Sequence, residues 1–153
     1  MSTIVEQVLA TMATRLNTSR PTGIPAVERD RVIDLEPEEL PSMILGWAKD
    51  GPHEDKGKSH VLDHRQLSVQ IAIRAAAGSG LTASQAADAM VAWAVKKLCQ
   101  AATADSPFHG IAHSIRQGEK ACVMAKAGRP YCLVILELIV DYQHRFGDAE
   151  QWA

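Results

Sequence analysis

The sequence predicts an α+β domain: a mainly antiparallel sheet with two helices packed on one face, in a single domain over residues 1–153. Three observations carry that prediction. Two stretches with helical periodicity open on a capping-box pattern, Thr3 to Glu6 and Thr82 to Gln85. Residues 66–75 alternate between apolar and polar side chains with a period of two. Residues 131–142 are almost wholly apolar, and at about 3.3 Å per residue would span roughly 40 Å, about twice a common strand. Helix, strands, helix, strands is the order expected of an α+β domain.

Residues 3–17 form the first helix. The Thr3 hydroxyl and the Glu6 carboxylate can each satisfy a backbone N–H of the first turn. Ile4, Val5, Val8, Leu9, Met12 and Leu16 recur at helical spacing, with Glu6, Gln7, Ala10, Ala13 and Thr14 opposite. Turn formers from Asn17 to Pro25 end it. Two strands follow: Arg31 to Glu36, stopped by Pro37, and Pro41 to Lys49, where a leading proline costs no central ladder bond. Residues 50–60 carry no apolar side chain and are expected to form a mobile, exposed loop.

In the next strand Leu67, Val69, Ile71, Ile73 and Ala75 point toward the core, and Gln66, Ser68, Gln70 and Arg74 point away. Glycines at 78 and 80 turn the chain into the second helix. It runs to about Ala101, with Ala87, Met90, Val91, Ala94 and Leu98 as its apolar stripe. Trp93 lies at the edge of that stripe, either as core rim or as an exposed contact for a partner. Residues 111–124 read as a hairpin turning at Gln117 and Gly118. The long last strand has apolar even positions from Cys132 to Val140. Its odd positions Leu133, Ile135 and Ile139 are apolar too, broken by Glu137 and Asp141, so both faces are at least partly covered. Residues 143–153 read as a charged C-terminal tail.

Apolar residues make up 46% and charged residues 22%, as in a soluble globular protein. No apolar run is long enough to cross a bilayer, and the first residues lack the basic region of a signal peptide. A net charge of −2, with basic residues scattered and no interleaved aromatics, gives no drive toward membranes or sequence-specific nucleic-acid binding. Cys99, Cys122 and Cys132 cannot all pair and show no CxxC spacing, which fits a reducing compartment.

Candidate chemistry is sparse. His60 and His64, like His109 and His113, are spaced i, i+4, but the first pair enters a strand and the second spans Gly110, so neither presents one helical face to a metal. Cys122 and Cys132 could face each other across adjacent strands, the blander reading being small buried hydrophobes. Asp34, Glu36, Glu38 and Glu39 read as a solvated acidic face rather than a cation site. Gly78 to Gly80 lacks the spacing of a phosphate loop, and nothing frames a nucleophile. No catalytic residue, metal site or cofactor is predicted.

Four stretches together carry a resemblance: the first helix, Leu35 to Leu45 leading into a polar loop, Leu67 to Arg74 feeding Ala86 to Met90, and the closing run from Leu138 to Glu150. In the last, a hydrophobic strand ends on Tyr142, a short polar stretch and then Gly147, Asp148 and an acidic residue. With these the chain resembles the tail terminators (minor tail or tail-completion proteins) of long, non-contractile-tailed phages. The resemblance implies a non-enzymatic virion protein assembled in the host cytoplasm. It would form a homohexameric ring that ends tail-tube polymerisation and joins the head connector, with DNA passing through.

On that resemblance Gln66, Ser68, Gln70 and Arg74 are a candidate subunit interface or lumen, and Asp50, His53, Glu54, Asp55, Lys56 and Lys58 a loop that orders on the tube or connector. Glu137 and Asp141 are costly if buried alone. Either both reach solvent, or a neighbour's Arg116 or Arg129 pairs with them. Another head–tail joining (neck) protein would share these features. A small α+β hydrolase using His113 or Cys122, or a bacterial adaptor of similar fold, are readings from other classes.

Overall fold

The computed structural model describes residues 3–29, 40–53, 62–78, 80–100, 111–128, 130–145 and 148–152. The expected strand from Arg31 to Glu36 lies outside the described residues, as do Glu54, Asp55, Lys56, Lys58, His60, His109 and Arg129. The described chain forms α1 (Ile4–Asn17), β1 (Val27–Arg29), β2 (Ser42–Pro52), β3 (Leu62–Ala76), α2 (Ala83–Val95), a π-helical turn (Lys96–Gln100), β4 (Ser114–Val123), β5 (Tyr131–Arg145) and β6 (Asp148–Trp152). This is the predicted α+β fold. The sheet runs β1-β2-β3-β5-β4, with β6 pairing β5; β1 is parallel to β2, and every other pairing is antiparallel.

Local chemistry starts both helices. The Thr3 hydroxyl accepts from Glu6 N at 3.3 Å, while the Glu6 carboxylate pairs with Arg29 of β1 at 3.1 Å. At the other end of α1, Asn17 Oδ1 accepts from Val27 N at 2.8 Å, which fixes where β1 begins. In α2 the capping box is complete, with Thr82 and Gln85 each bonding the other's backbone N–H. The helix changes to π winding at Lys96 rather than continuing as α, yet Leu98 stays buried.

Both helices lie on one face of the sheet, where their stripes meet the alternating strand positions. Ile4, Val8, Leu9, Met12 and Leu16 of α1, with Ala87, Met90, Val91, Ala94 and Leu98, join Met43, Leu45, Leu67, Val69, Ile71, Ile73 and the even positions Cys132 to Val140 in one core. Each large aliphatic side chain buried this way contributes about 1.5–3 kcal/mol of transfer free energy. Trp93 is partly buried against this core, the rim position of the two foreseen.

Three expectations are corrected. Residues 111–124 are not a hairpin: β4 is one strand, and Gln117 pairs with Leu138 while Lys120 pairs with Leu136. Gly118 and Glu119 therefore oppose Glu137 alone, which is a β-bulge. A side chain at 118 would overlap the Glu137 carboxylate, so the glycine makes room for an acid on the next strand. Second, residues 50–53 are not part of the expected exposed loop, the rest of which lies outside the described residues. Asp50 to Pro52 belong to β2, and His53 N donates to His64 O at 2.9 Å. Pro52 is tolerated because β1 pairs only with Met43 to Leu45, so among the described residues no strand needs its missing N–H. Third, the described part of residues 143–153 is strand rather than tail. β5 runs on to Arg145, and Asp148–Trp152 returns along it as β6.

Candidate functional site

The sheet face turned away from the helices is the candidate site, and the register assigns it row by row. Ser42, Arg74, Leu133 and Val123 form one row across β2, β3, β5 and β4; Ile44, Ala72, Ile135 and Ala121 form the next. Further along come Gly46, Gln70 and Glu137, then Lys49, Ser68, Ile139 and Arg116, then Gly51, Gln66, Asp141 and Ser114. One half of the face is thus mainly apolar and the other polar. Leu133, Ile135 and Ile139 are only half-buried, and Val123 and Met124 beside them are exposed, Met124 by 72%.

The polar half is centred on Asp141. Its side chain is 10% exposed and accepts bonds from Ser114 Oγ at 2.7 Å, Arg116 Nη1 at 2.8 Å and Gln66 Nε2 at 3.2 Å; His53 Nε2 stands 3.6 Å away. Burial alone would raise the Asp141 pKa. The hydrogen bonds of Ser114 and Gln66 and the charges of Arg116 and His53 outweigh it and hold the carboxyl below its ordinary value. Glu137 accepts hydrogen bonds from Ser68 Oγ at 2.8 Å and from the bulge amide of Glu119 at 3.4 Å. Both acids are satisfied within the chain, Asp141 by its own Arg116. For Asp141, the expectation that it reaches solvent or waits for a neighbour's arginine is therefore corrected, whereas Glu137 stays half-buried on the face.

At the other end of the face two groups lack such partners. Arg74 Nη1 and Ser42 Oγ, directly opposite each other, are buried without a hydrogen-bond partner among the described residues. A buried guanidinium nitrogen and a hydroxyl in one row suit an incoming acceptor such as a carboxylate or a backbone carbonyl.

Gln66, Ser68, Gln70, Arg74, Arg116, Glu137 and Asp141 were all singled out from sequence, and the sheet brings them onto this one face. The two described candidate loop residues, Asp50 and His53, do not stay together. His53 reaches Asp141, whereas Asp50 sits on the helix side, where Tyr142 OH donates to its Oδ2 at 2.8 Å and Arg65 Nε lies 3.4 Å from its Oδ1. Burial, together with the bond to and charge of Asp50, pushes the Tyr142 hydroxyl well above its ordinary value, with Arg65 partly offsetting. Asp63 completes this second cluster, 3.4 Å from Arg65 Nη1 and 3.5 Å from His144 Nε2.

Sequence reading missed Ser114 and the aliphatic row through Ile44. Ser114 becomes visible only once the bulge in β4 sets the register, and the Ile44 row only once β2 and β5 are paired with β3. Among the described residues no group of three or more His, Cys, Asp and Glu could hold a metal ion, and no helix is long and apolar enough to cross a membrane. No protein-family model matches the chain, and neither does any curated protein.

Proposed function

We propose that this chain is a structural protein of a phage tail. Its copies associate through the open sheet face into a homohexameric ring that caps the tail tube, stops its growth and offers the head connector a joining surface. One observation carries the reading. The open face combines half-buried aliphatics at Leu133, Ile135 and Ile139 with a satisfied polar rim and with Arg74 Nη1 and Ser42 Oγ, which have no hydrogen-bond partner among the described residues. An apolar centre beside a hydrogen-bonded polar margin is the anatomy of a protein–protein interface. In a ring the contact is heterologous, so this patch meets a different patch on the next copy, and closure limits the assembly.

Light scattering on the purified chain is expected to give six times the subunit mass. Ile135→Lys, in the middle of the apolar row, is expected to leave the circular dichroism spectrum intact and reduce the mass to that of a monomer. Capping of purified tail tubes separates a terminator from another head–tail joining protein. A wild-type chain that stays monomeric and leaves tube length unchanged would sink the proposal.

A further inference from the structure

We propose that Cys122 and Cys132 are a thiol pair that closes to an intramolecular disulfide by exchange with a small disulfide such as oxidised glutathione. The inference is independent of the assembly reading. Cys122 pairs with Val134, so Cys132 lies one step along the diagonal on the same face of the sheet, with the two Sγ atoms 3.0 Å apart. A further approach of about 1 Å reaches disulfide bonding distance. The two thiols differ in access: Cys132 is fully buried, and Cys122 is exposed. Cys122 also lines an open groove of about 410 Å³ between α2 and β4, together with Ser84, Gln85, Asp88, Lys120 and Val134. A small reagent can therefore meet one sulfur of the pair and not the other.

This asymmetry sets the order of steps. The Cys122 thiolate attacks one sulfur of oxidised glutathione, forming a mixed disulfide and expelling one glutathione thiolate. Cys132 then gives up its proton and attacks the Cys122 sulfur, expelling the second glutathione thiolate, which takes the proton. Two protein thiols are oxidised and one small disulfide is reduced to two thiols. Cys99 has no part in this. It is half-buried at the π-helical turn, and burial raises its pKa and so keeps it from the reactive thiolate form. Closure ties the end of the outer strand β4 to the interior strand β5, around a loop from residue 122 to 132.

The test incubates the full chain with oxidised glutathione, blocks remaining thiols under denaturing conditions, and maps tryptic peptides. Cleavage after Lys126 places the two cysteines in residues 121–126 and 127–145, since Arg129 precedes proline. The expected result is a reduction-sensitive link between those two peptides, with Cys99 alkylated, and a raised melting temperature. Cys132→Ser is expected to stop at a stable glutathione adduct on Cys122. The exposed-site variant Cys122→Ser, which does not disturb the core, is expected to leave Cys132 unmodified while folded. A wild-type chain that retains all its thiols, that accumulates the Cys122 adduct without the link, or that forms only inter-chain links overturns the inference.

Discussion

Asp141 and Tyr142 are neighbours in sequence but point to opposite faces, and each ties its face to other strands. Asp141 holds a carboxyl pKa below its ordinary value of 3.8. Its stabilising contribution is therefore complete above that pH and is lost as pH falls through the lower folded value. Asp141→Asn is expected to cost about 1–3 kcal/mol at neutral pH, because Ser114 and Arg116 lose a charged acceptor. It is also expected to flatten the acid limb of a stability-against-pH curve measured by urea unfolding. Tyr142 behaves oppositely. With its hydroxyl pKa raised above 10.0, its contribution is whole below that pH and declines as pH climbs toward the folded value. Tyr142→Phe removes the donor to Asp50, with an expected cost of about 1.5–3 kcal/mol and a flatter alkaline limb. Neither network could be read from sequence, because Gln66, Ser114 and Asp141 lie on three strands and meet only through register.

Elements whose determinants are local were legible, and elements defined by a partner were not. The first helix, the second helix and strands β3 and β5 each announce themselves through period and caps within a few residues. Strand β1 is three residues long and exists because β2 and Asn17 hold it. In β4 a glycine that resembles a turn signal marks a bulge, and the cause, Glu137, is nineteen residues further along the chain. Gly118→Ala is expected to displace that carboxylate from Ser68 and cost about 1–2 kcal/mol in denaturant unfolding. In a double-mutant cycle with Ser68→Ala the two losses are expected to be non-additive, since both break the same bond. The sheet continues through residues 50–52 and 148–152 although they look like loop and tail, because ladder pairing uses backbone groups and is indifferent to polar side chains.

At the scale of the molecule, both described helices pack on one side of the sheet, and the sequence foretold that division through the period-two pattern of β3. The Ile135→Lys test belongs here, because it separates folding of the subunit from association of subunits: the core lies entirely on the other face. What sequence could not convey is how evenly the two needs are split within single strands. In β5 the even positions hold the fold together and the odd positions face outward.

The bulge in β4 has a further consequence. β4 is a ten-residue border of the sheet, and a flush border of that length would recruit identical ribbons edge to edge without limit. Two residues crowded against one kink the ladder there, and Arg116, Glu119 and Lys120 surround the kink with charge. The defect acts as a guard against fibre growth. It leaves contact between broad surfaces as the safe way for one copy to meet another.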